Sequence, residues 1–355
     1  MKIARLHLTD HPLFGTIDID FTDPEENPSD TIVLAGINGS GKTTILNCMK
    51  GLLKKGIVRP YLKESFKGLA IPELGEKFYL DSDTSEYIVP FFTSFENETI
   101  QKFRLTPESG YRENITNVFE TYAENPLHDK SEQNNLHQLP KLIYLPSEIN
   151  FDRIQITARP YKYVYHFFNE VDENIAKFIP DYFGTLIDKK VYENEDIPPR
   201  ESIRKACDDI NSIFEKLDLE SKLVGLKKDG SRMPIFKNKT GKEFDINGLS
   251  SGEKQLFFRI MALKMFEVNN SVILVDEPEN SLHPAWQQKI LKIYENIGEN
   301  NQVIVATHSS HIIASTPKEN VKILARNEEI NTFQVIDYSD VFFRQFEKVR
   351  KHKIS

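Results

Sequence analysis

At 355 residues, 28% charged and 39% hydrophobic, the chain has the length of one large or two modest globular domains and enough apolar material for a sizeable core. Its 45 Lys and Arg against 53 Asp and Glu leave a net charge of −8, which excludes a global basic field for nucleic acid and leaves only local patches. Two cysteines, Cys48 and Cys207, without C-x-x-C spacing exclude a disulfide framework and a cysteine metal site. The charged start, Met1-Lys-Ile-Ala-Arg5, and the lack of any stretch near the ~18 apolar residues of a span point to an intracellular, cytoplasmic, non-membrane protein.

The alternation in Ile3-Ala-Arg-Leu-His-Leu8 and Gly15-Thr-Ile-Asp-Ile-Asp-Phe21, then the apolar run Thr31-Ile-Val-Leu-Ala35, predicts three strands leading into a glycine loop. From Thr43, Ile45, Leu46, Met49, Leu52 and Leu53 recur at helical spacing up to Gly56. Clusters at 78–80, 87–89, 91–92 and 102–105 predict an antiparallel meander within 77–106, and 107–140 reads as a short helix followed by a flexible loop. A strand is expected over Lys141–Leu145. Residues 161–222 read as a helical insertion broken at Pro180 and Pro198-Pro199, and turns at Asp229-Gly230 and Thr240-Gly241 mark hairpins in 223–247.

Gly36-Ile-Asn38-Gly39-Ser40-Gly41-Lys42-Thr43 fits G-x-x-x-x-G-K-[ST] between a predicted strand and a predicted helix. The chemistry requires these residue types. Glycines let backbone N–H groups curl around a phosphate, the helix N-terminus adds its positive dipole end, Lys42 neutralises β/γ oxygens, and Thr43 ligates magnesium. Thr44 continues the cradle, so ATP and Mg2+ are the expected ligands.

Ser271-Val-Ile-Leu-Val-Asp276-Glu277 is an apolar strand ending in paired carboxylates, Asp276 to hold magnesium and Glu277 to polarise the attacking water. A second buried strand, Gln302–Thr307, ends at His308, where a parallel sheet presents ligands and the imidazole can meet a γ-phosphate. Leu249-Ser250-Ser251-Gly252-Glu253 precedes a helix. Ser250 and Glu253 have capping-box spacing, and the same N-terminus is an anion site.

Together these motifs resemble the ABC-type ATPases: LSSGE as their signature, Asp276-Glu277 as Walker B, Glu279-Asn-Ser-Leu-His-Pro284 as D-loop, and His308 as the switch histidine. The wording is similar to the branch containing OLD, RecF and SMC-like ATPases, particularly the OLD-like AAA proteins of anti-phage defence systems such as Septu and retrons. The resemblance covers roughly 1–60, 141–150 and 230–325. It implies an α/β P-loop NTPase of ABC ATPase head type with two lobes: a core at 1–60, 141–160 and 223–337, a β-rich lobe at 61–140, the insertion at 161–222, and a basic C-terminal helix or tail at 338–355.

It also implies a homodimer with ATP sandwiched between the P-loop of one subunit and Ser250, Ser251, Gly252 and Glu253 of the other, and a switch ATPase controlling a separate effector, a nuclease in a defence system. A RecF-like clamp that binds DNA in an ATP-dependent way is the alternative. By the same resemblance Lys2 and Arg5 approach the nucleotide. The roughly 45 residues after His308 are too few for a Toprim nuclease domain. Many relatives carry a glutamine after the 141–145 strand. Here Ser147 and Glu148 follow Pro146, so either Glu148 completes the magnesium set or the strand simply turns.

Three further features are open. The lysines and arginine of 227–242 (Lys227, Lys228, Arg232, Lys237, Lys239, Lys242) form a local basic patch, either a DNA contact or a solvated hairpin face. Arg344, Lys348, Arg350, Lys351 and Lys353 read as a basic helix end or a docking tail. Tyr161, Tyr163, Tyr165, Phe167 and Phe168 read as core or partner interface.

Overall fold

The structure, a computed structural model, describes residues 2–3, 5–25, 27–55, 87–92, 100–105, 141–149, 168–193, 196–229, 233–327 and 332–338. The expectations for 56–86, 106–140, Tyr161 to Phe167, Arg232 and the 339–355 tail lie outside these residues.

Seven strands form the central sheet, in the order β14-β13-β3-β12-β11-β6-β7. They are β3 (Thr31–Ala35), β6 (Leu142–Leu145), β7 (Phe168–Glu170), β11 (Val272–Asp276), β12 (Gln302–Thr307), β13 (Val321–Asn327) and β14 (Thr332–Asp337). All neighbours are parallel except β13 and β14. The inner strands are buried on both sides, which explains their unbroken apolar runs.

Because side chains alternate, each inner strand feeds two cores. Ile32, Leu34, Leu142, Tyr144, Val272, Leu274, Ile304 and Ala306 face one side, where they meet Ile45, Leu46, Cys48 and Met49 of α1 (Lys42–Lys55) and the hairpin of β1 (Arg5–His11) and β2 (Gly15–Asp20). Val33, Ala35, Ile143, Leu145, Ile273, Val275, Val303 and Val305 face the other. There they meet α2 (Glu173–Glu193), α3 (Pro199–Lys216) and α4 (Ser251–Met265), with α5 (Pro284–Gln287), α6 (Ile290–Glu295) and α7 (Ser310–Ser315) in the connections between β11, β12 and β13. Helix α4 is buried on nearly every side, so its apolar residues are not confined to one stripe.

Two expectations are corrected. Pro180 does not break the helix but lies inside α2, where burial of Ile179, Phe183 and Ile187 outweighs the ~3 kcal/mol an internal proline costs. Residues 168–170 are no part of a helical insertion, since they pair parallel with β6 as the sheet's edge strand.

Outside the main sheet, β4 (Tyr87–Phe92) and β5 (Ile100–Leu105) make a two-stranded antiparallel hairpin. β8 (Lys222–Leu226), β9 (Pro234–Lys237) and β10 (Glu243–Asp245) form a three-stranded meander. The lysines of 227–242 are partly neutralised: Lys227 pairs with Asp229 at 2.8 Å and Lys239 with Glu220 at 2.8 Å. Among the described residues no helix is long and apolar enough to cross a membrane.

Candidate functional site

Parallel strands all present their carboxyl ends at one edge, so the ends of β3, β11 and β12, which are adjacent in the sheet, bring their following loops together. After β3 the chain turns through Gly39 (φ +78°) and Gly41 (φ +91°) into α1. Gly41 is held from behind, since a Cβ there would stand 2.5 Å from both Leu13 Cδ2 and Phe14 Cζ of the β1–β2 turn. Gly36 is equally constrained, as its Cβ would lie 2.5 Å from Ser40 Oγ. That hydroxyl is buried without a partner, a polar group whose desolvation is uncompensated in the chain alone.

Lys42 is buried, and its ammonium donates to the carbonyls of Gly36 (2.9 Å) and Ile37 (3.0 Å). Burial lowers its pKa, while Glu277, Glu279 and Asp276 pull it back up. Thr43 Oγ1 donates to Asp276, 2.9 and 3.0 Å from its two carboxylate oxygens, and Tyr144 Oη reaches the same carboxylate at 3.4 Å. Burial is the largest cause raising the pKa of Asp276, and neighbouring Glu277 adds to it.

Three carboxylates thus share this edge with the Lys42 ammonium and the buried Arg259 guanidinium, which leaves an excess of negative charge that suits a cation. Thr43 and Asp276 are hard oxygen donors in contact with each other, which suits magnesium. No group of three His, Cys, Asp or Glu among the described residues could hold a metal unaided, so phosphate oxygens and water would have to complete its shell. Glu148 is exposed and bonded to neither Thr43 nor Asp276. The structure brings those two together, and the loop that carries Glu148 adjoins them through Asn280 Nδ2, which lies 3.4 Å from Ser147 O and 3.3 Å from Glu277.

Glu277 has φ +40°, a left-handed conformation that costs a non-glycine residue about 1–2 kcal/mol. Its N–H donates to Ala306 O at 2.8 Å, which ties the end of β11 to β12, and Asn280 Nδ2 lies 3.3 Å from its carboxylate. His308 Nδ1 stands 3.6 Å from Glu277 and 3.2 Å from Glu279.

At the N-terminus of α4, the Ser250 hydroxyl accepts from Glu253 N (3.3 Å) and the Glu253 carboxylate accepts from Ser250 N (3.0 Å), a complete capping box. Ser251 is exposed. Gly252 is required by a close approach, because a Cβ would meet Ser281 O at 2.4 Å. The loop holding Ser281 therefore rests directly on the start of this helix.

Lys2 and Arg5 do not approach the nucleotide edge. Lys2 pairs with Asp30 just before β3, and Arg5 pairs with Asp20 at 3.0 Å, at the far end of the hairpin from Leu13 and Phe14. The seven-residue strand β1 puts roughly 20 Å between Arg5 and that turn.

Sequence reasoning missed the part that three residues play in organising the site. Arg259, fully buried in α4, donates to Pro278 O (3.3 Å), Pro146 O (2.8 Å) and Ser147 O (2.9 Å), joining the helix to the loops after β6 and β11. Gln255 brackets Ile149, donating to its carbonyl at 3.0 Å and accepting from its N–H at 3.4 Å. Glu279 gathers Thr307, His308 and Ser309 onto one oxygen. The only signal for the first two was their polarity inside the run Gln255-Leu-Phe-Phe-Arg259-Ile-Met.

Residues 32–314 match the family described as "AAA domain, putative AbiEii toxin, Type IV TA system". The retron Vc95 probable ATPase of Vibrio cholerae serotype O1 biovar El Tor is 24% identical, over 91% of this chain and 73% of that protein. The retron Ec83 probable ATPase of Escherichia coli is 28% identical over 29% of this chain and 21% of its own length. The Septu protein PtuA of Bacillus thuringiensis is 30% identical over 22% of this chain and 18% of its own. These last two matches span about a fifth of each relative. Among solved structures, an SmcHead bound to the C-winged helix domain of ScpA superposes with a TM-score of 0.48 at 16% identity, over 95% of this chain and 97% of that one. With the family match running from β3 to α7 and taking in both carboxylate and lysine ends of the site, the chain is an ATPase and belongs to this AAA domain family.

Proposed function

We propose that the chain is an ATP-gated switch: two copies close head-to-tail around ATP, and their opening and closing controls a separate effector, a nuclease, in an anti-phage defence system. The observation that carries the nucleotide half is the meeting of Lys42, Thr43, Asp276, Glu277 and His308 at one sheet edge, beside an orphaned Ser40 hydroxyl. The defence half is supported by the retron and Septu relatives.

In this reading Lys42 exchanges the carbonyls of Gly36 and Ile37 for β/γ oxygens of ATP, and the N–H groups of Asn38 to Thr44 with the Ser40 hydroxyl cradle the phosphates. Thr43 and Asp276 would hold magnesium, which when bound neutralises phosphate charge. Glu277 takes a proton from the water that attacks the γ-phosphorus, and His308 contacts the γ-phosphate. Ser250, Ser251, Gly252 and Glu253 of the second copy would contact the same phosphate. ATP therefore favours the closed dimer over the open one, and ADP lacks that differential contact.

The test is to purify the tagged chain from its native operon context, with and without ATP, and to size and identify what travels with it. A dimer dependent on ATP with a co-purifying nuclease is the expected result. Recovery of this chain alone, with ATP-dependent binding to DNA, would overturn the effector reading in favour of a DNA clamp.

A further inference from the structure

Glu279 is 5% exposed in its side chain, and four groups converge on its Oε1. Thr307 Oγ1 donates at 2.6 Å, His308 N at 2.8 Å and Ser309 N at 3.1 Å, and His308 Nδ1 stands 3.2 Å away. Its other oxygen, Oε2, is buried with no partner. Shaping the turn after β12 does not by itself call for a carboxylate, because Thr307 Oγ1 already accepts from Ser309 N at 2.9 Å. Burying a carboxylate with an orphaned oxygen is a costly way to tie a loop. The cost has a purpose if the group acts on His308.

Both acceptors nearest to Nδ1 are carboxylate oxygens, Glu279 at 3.2 Å and Glu277 at 3.6 Å. A carboxylate only accepts, so a hydrogen bond between this pair and the ring requires the hydrogen on Nδ1. The imidazole itself is 42% exposed. A histidine held through one nitrogen has its other nitrogen's role decided for it.

We propose that Glu279 is a positioning residue for ATP hydrolysis. It accepts the Nδ1 hydrogen of His308, fixes the tautomer and orientation of the ring beside Glu277, and leaves Nε2 as the nitrogen offered to the γ-phosphate. This rests on the reading of His308 given above, and the experiment separates the two.

The full chain is labelled with 15N-histidine, and the His308 signals are assigned by their loss in His308→Ala. Free histidine prefers the Nε2–H tautomer, whereas the proposal requires Nδ1–H at His308. Glu279→Gln keeps an oxygen for Thr307 and the two N–H groups, but without charge that oxygen, already shared by three donors, is a much weaker acceptor for the ring nitrogen than a carboxylate. It should move His308 toward Nε2–H and lower kcat about 10- to 100-fold, with KM within about threefold. In a His308→Ala background the same change should cost nothing more.

A wild-type His308 in the Nε2–H form overturns the proposal without any variant. So does a Glu279→Gln loss that persists in full when His308 is absent. If His308→Ala hydrolyses ATP at the wild-type rate, the γ-phosphate reading falls and the proposal with it. Failure of Glu279 alone looks different: His308→Ala is slow, but Glu279→Gln leaves the His308 signals unmoved.

Discussion

The two edges of the central sheet are built from similar residues to opposite ends. At the amino edge, polar side chains close on one another and on the backbone. Asn301 accepts from Ser271 N and donates to Val268 O and Ile297 O, and Gln302 ties Ile3 N and O together with Ser29 O. The carboxyl edge instead carries a lysine bonded only to loop carbonyls, three carboxylates that outnumber the positive charges, and unpartnered oxygens on Ser40 and Glu279. One edge is satisfied by the chain and serves stability. The other is left unsatisfied and gains its partners only from a ligand.

If that contrast holds, substitutions at the carboxyl edge lower activity and spare stability, while those at the amino edge do the reverse. Glu277→Gln should cause the largest loss, about 100- to 10,000-fold in kcat, with an unfolding midpoint at or above wild type because one of the crowded carboxylates is neutralised. Steady-state phosphate release and thermal melts read both. Lys42→Ala should weaken ATP binding about 100-fold or more, since truncating a buried charged contact costs several kcal/mol; titration calorimetry measures it. Gly41→Ala is the exception that should cost both nucleotide binding and stability, because it combines φ +91° with a clash against Leu13 and Phe14, and fluorescent-ATP binding with thermal melts checks it.

At the amino edge, Asn301→Ala strands three backbone groups and should cost about 2–4 kcal/mol in urea unfolding, with kcat unchanged. A loss of activity out of proportion to unfolding would break the comparison. Lys141 gives the most specific effect. It is fully buried, and burial pushes its pKa down to about 7, with Glu267 acting weakly the other way. Above pH 7 the unfolded chain holds this proton and the folded chain does not, so stability should rise with pH from about 7 toward 10, by up to about 1.4 kcal/mol per unit. Lys141→Met should remove that slope.

Much of the site was legible because its motifs are local. A strand, a glycine loop and a helix start lie within a dozen residues, and paired carboxylates end an apolar run whose burial on both faces is itself a sequence pattern. What escaped was long-range. Arg259 reaches carbonyls 113 and 112 residues away, and Glu279 acts on backbone that follows a strand 28 to 30 residues later. No periodicity encodes a side chain meeting a distant main chain.

Pro180 misled because burial of its neighbours overrode local propensity. The basic stretch looked stronger in sequence than in space because Glu220, outside it, folds back onto Lys239. Lys2 and Arg5 were carried to the wrong end of the molecule, since the strand direction puts them on the amino side.

The most direct test of an ATP site shared between two copies is complementation between Lys42→Ala, which removes the P-loop charge, and Ser251→Arg, which blocks the exposed start of α4. Each variant alone should be inactive. A mixed dimer has one site with both defects and one with neither, so an equimolar mixture should recover about a quarter of wild-type hydrolysis by random pairing. A mixture no more active than its components, or a fully active Ser251→Arg, would contradict the shared site.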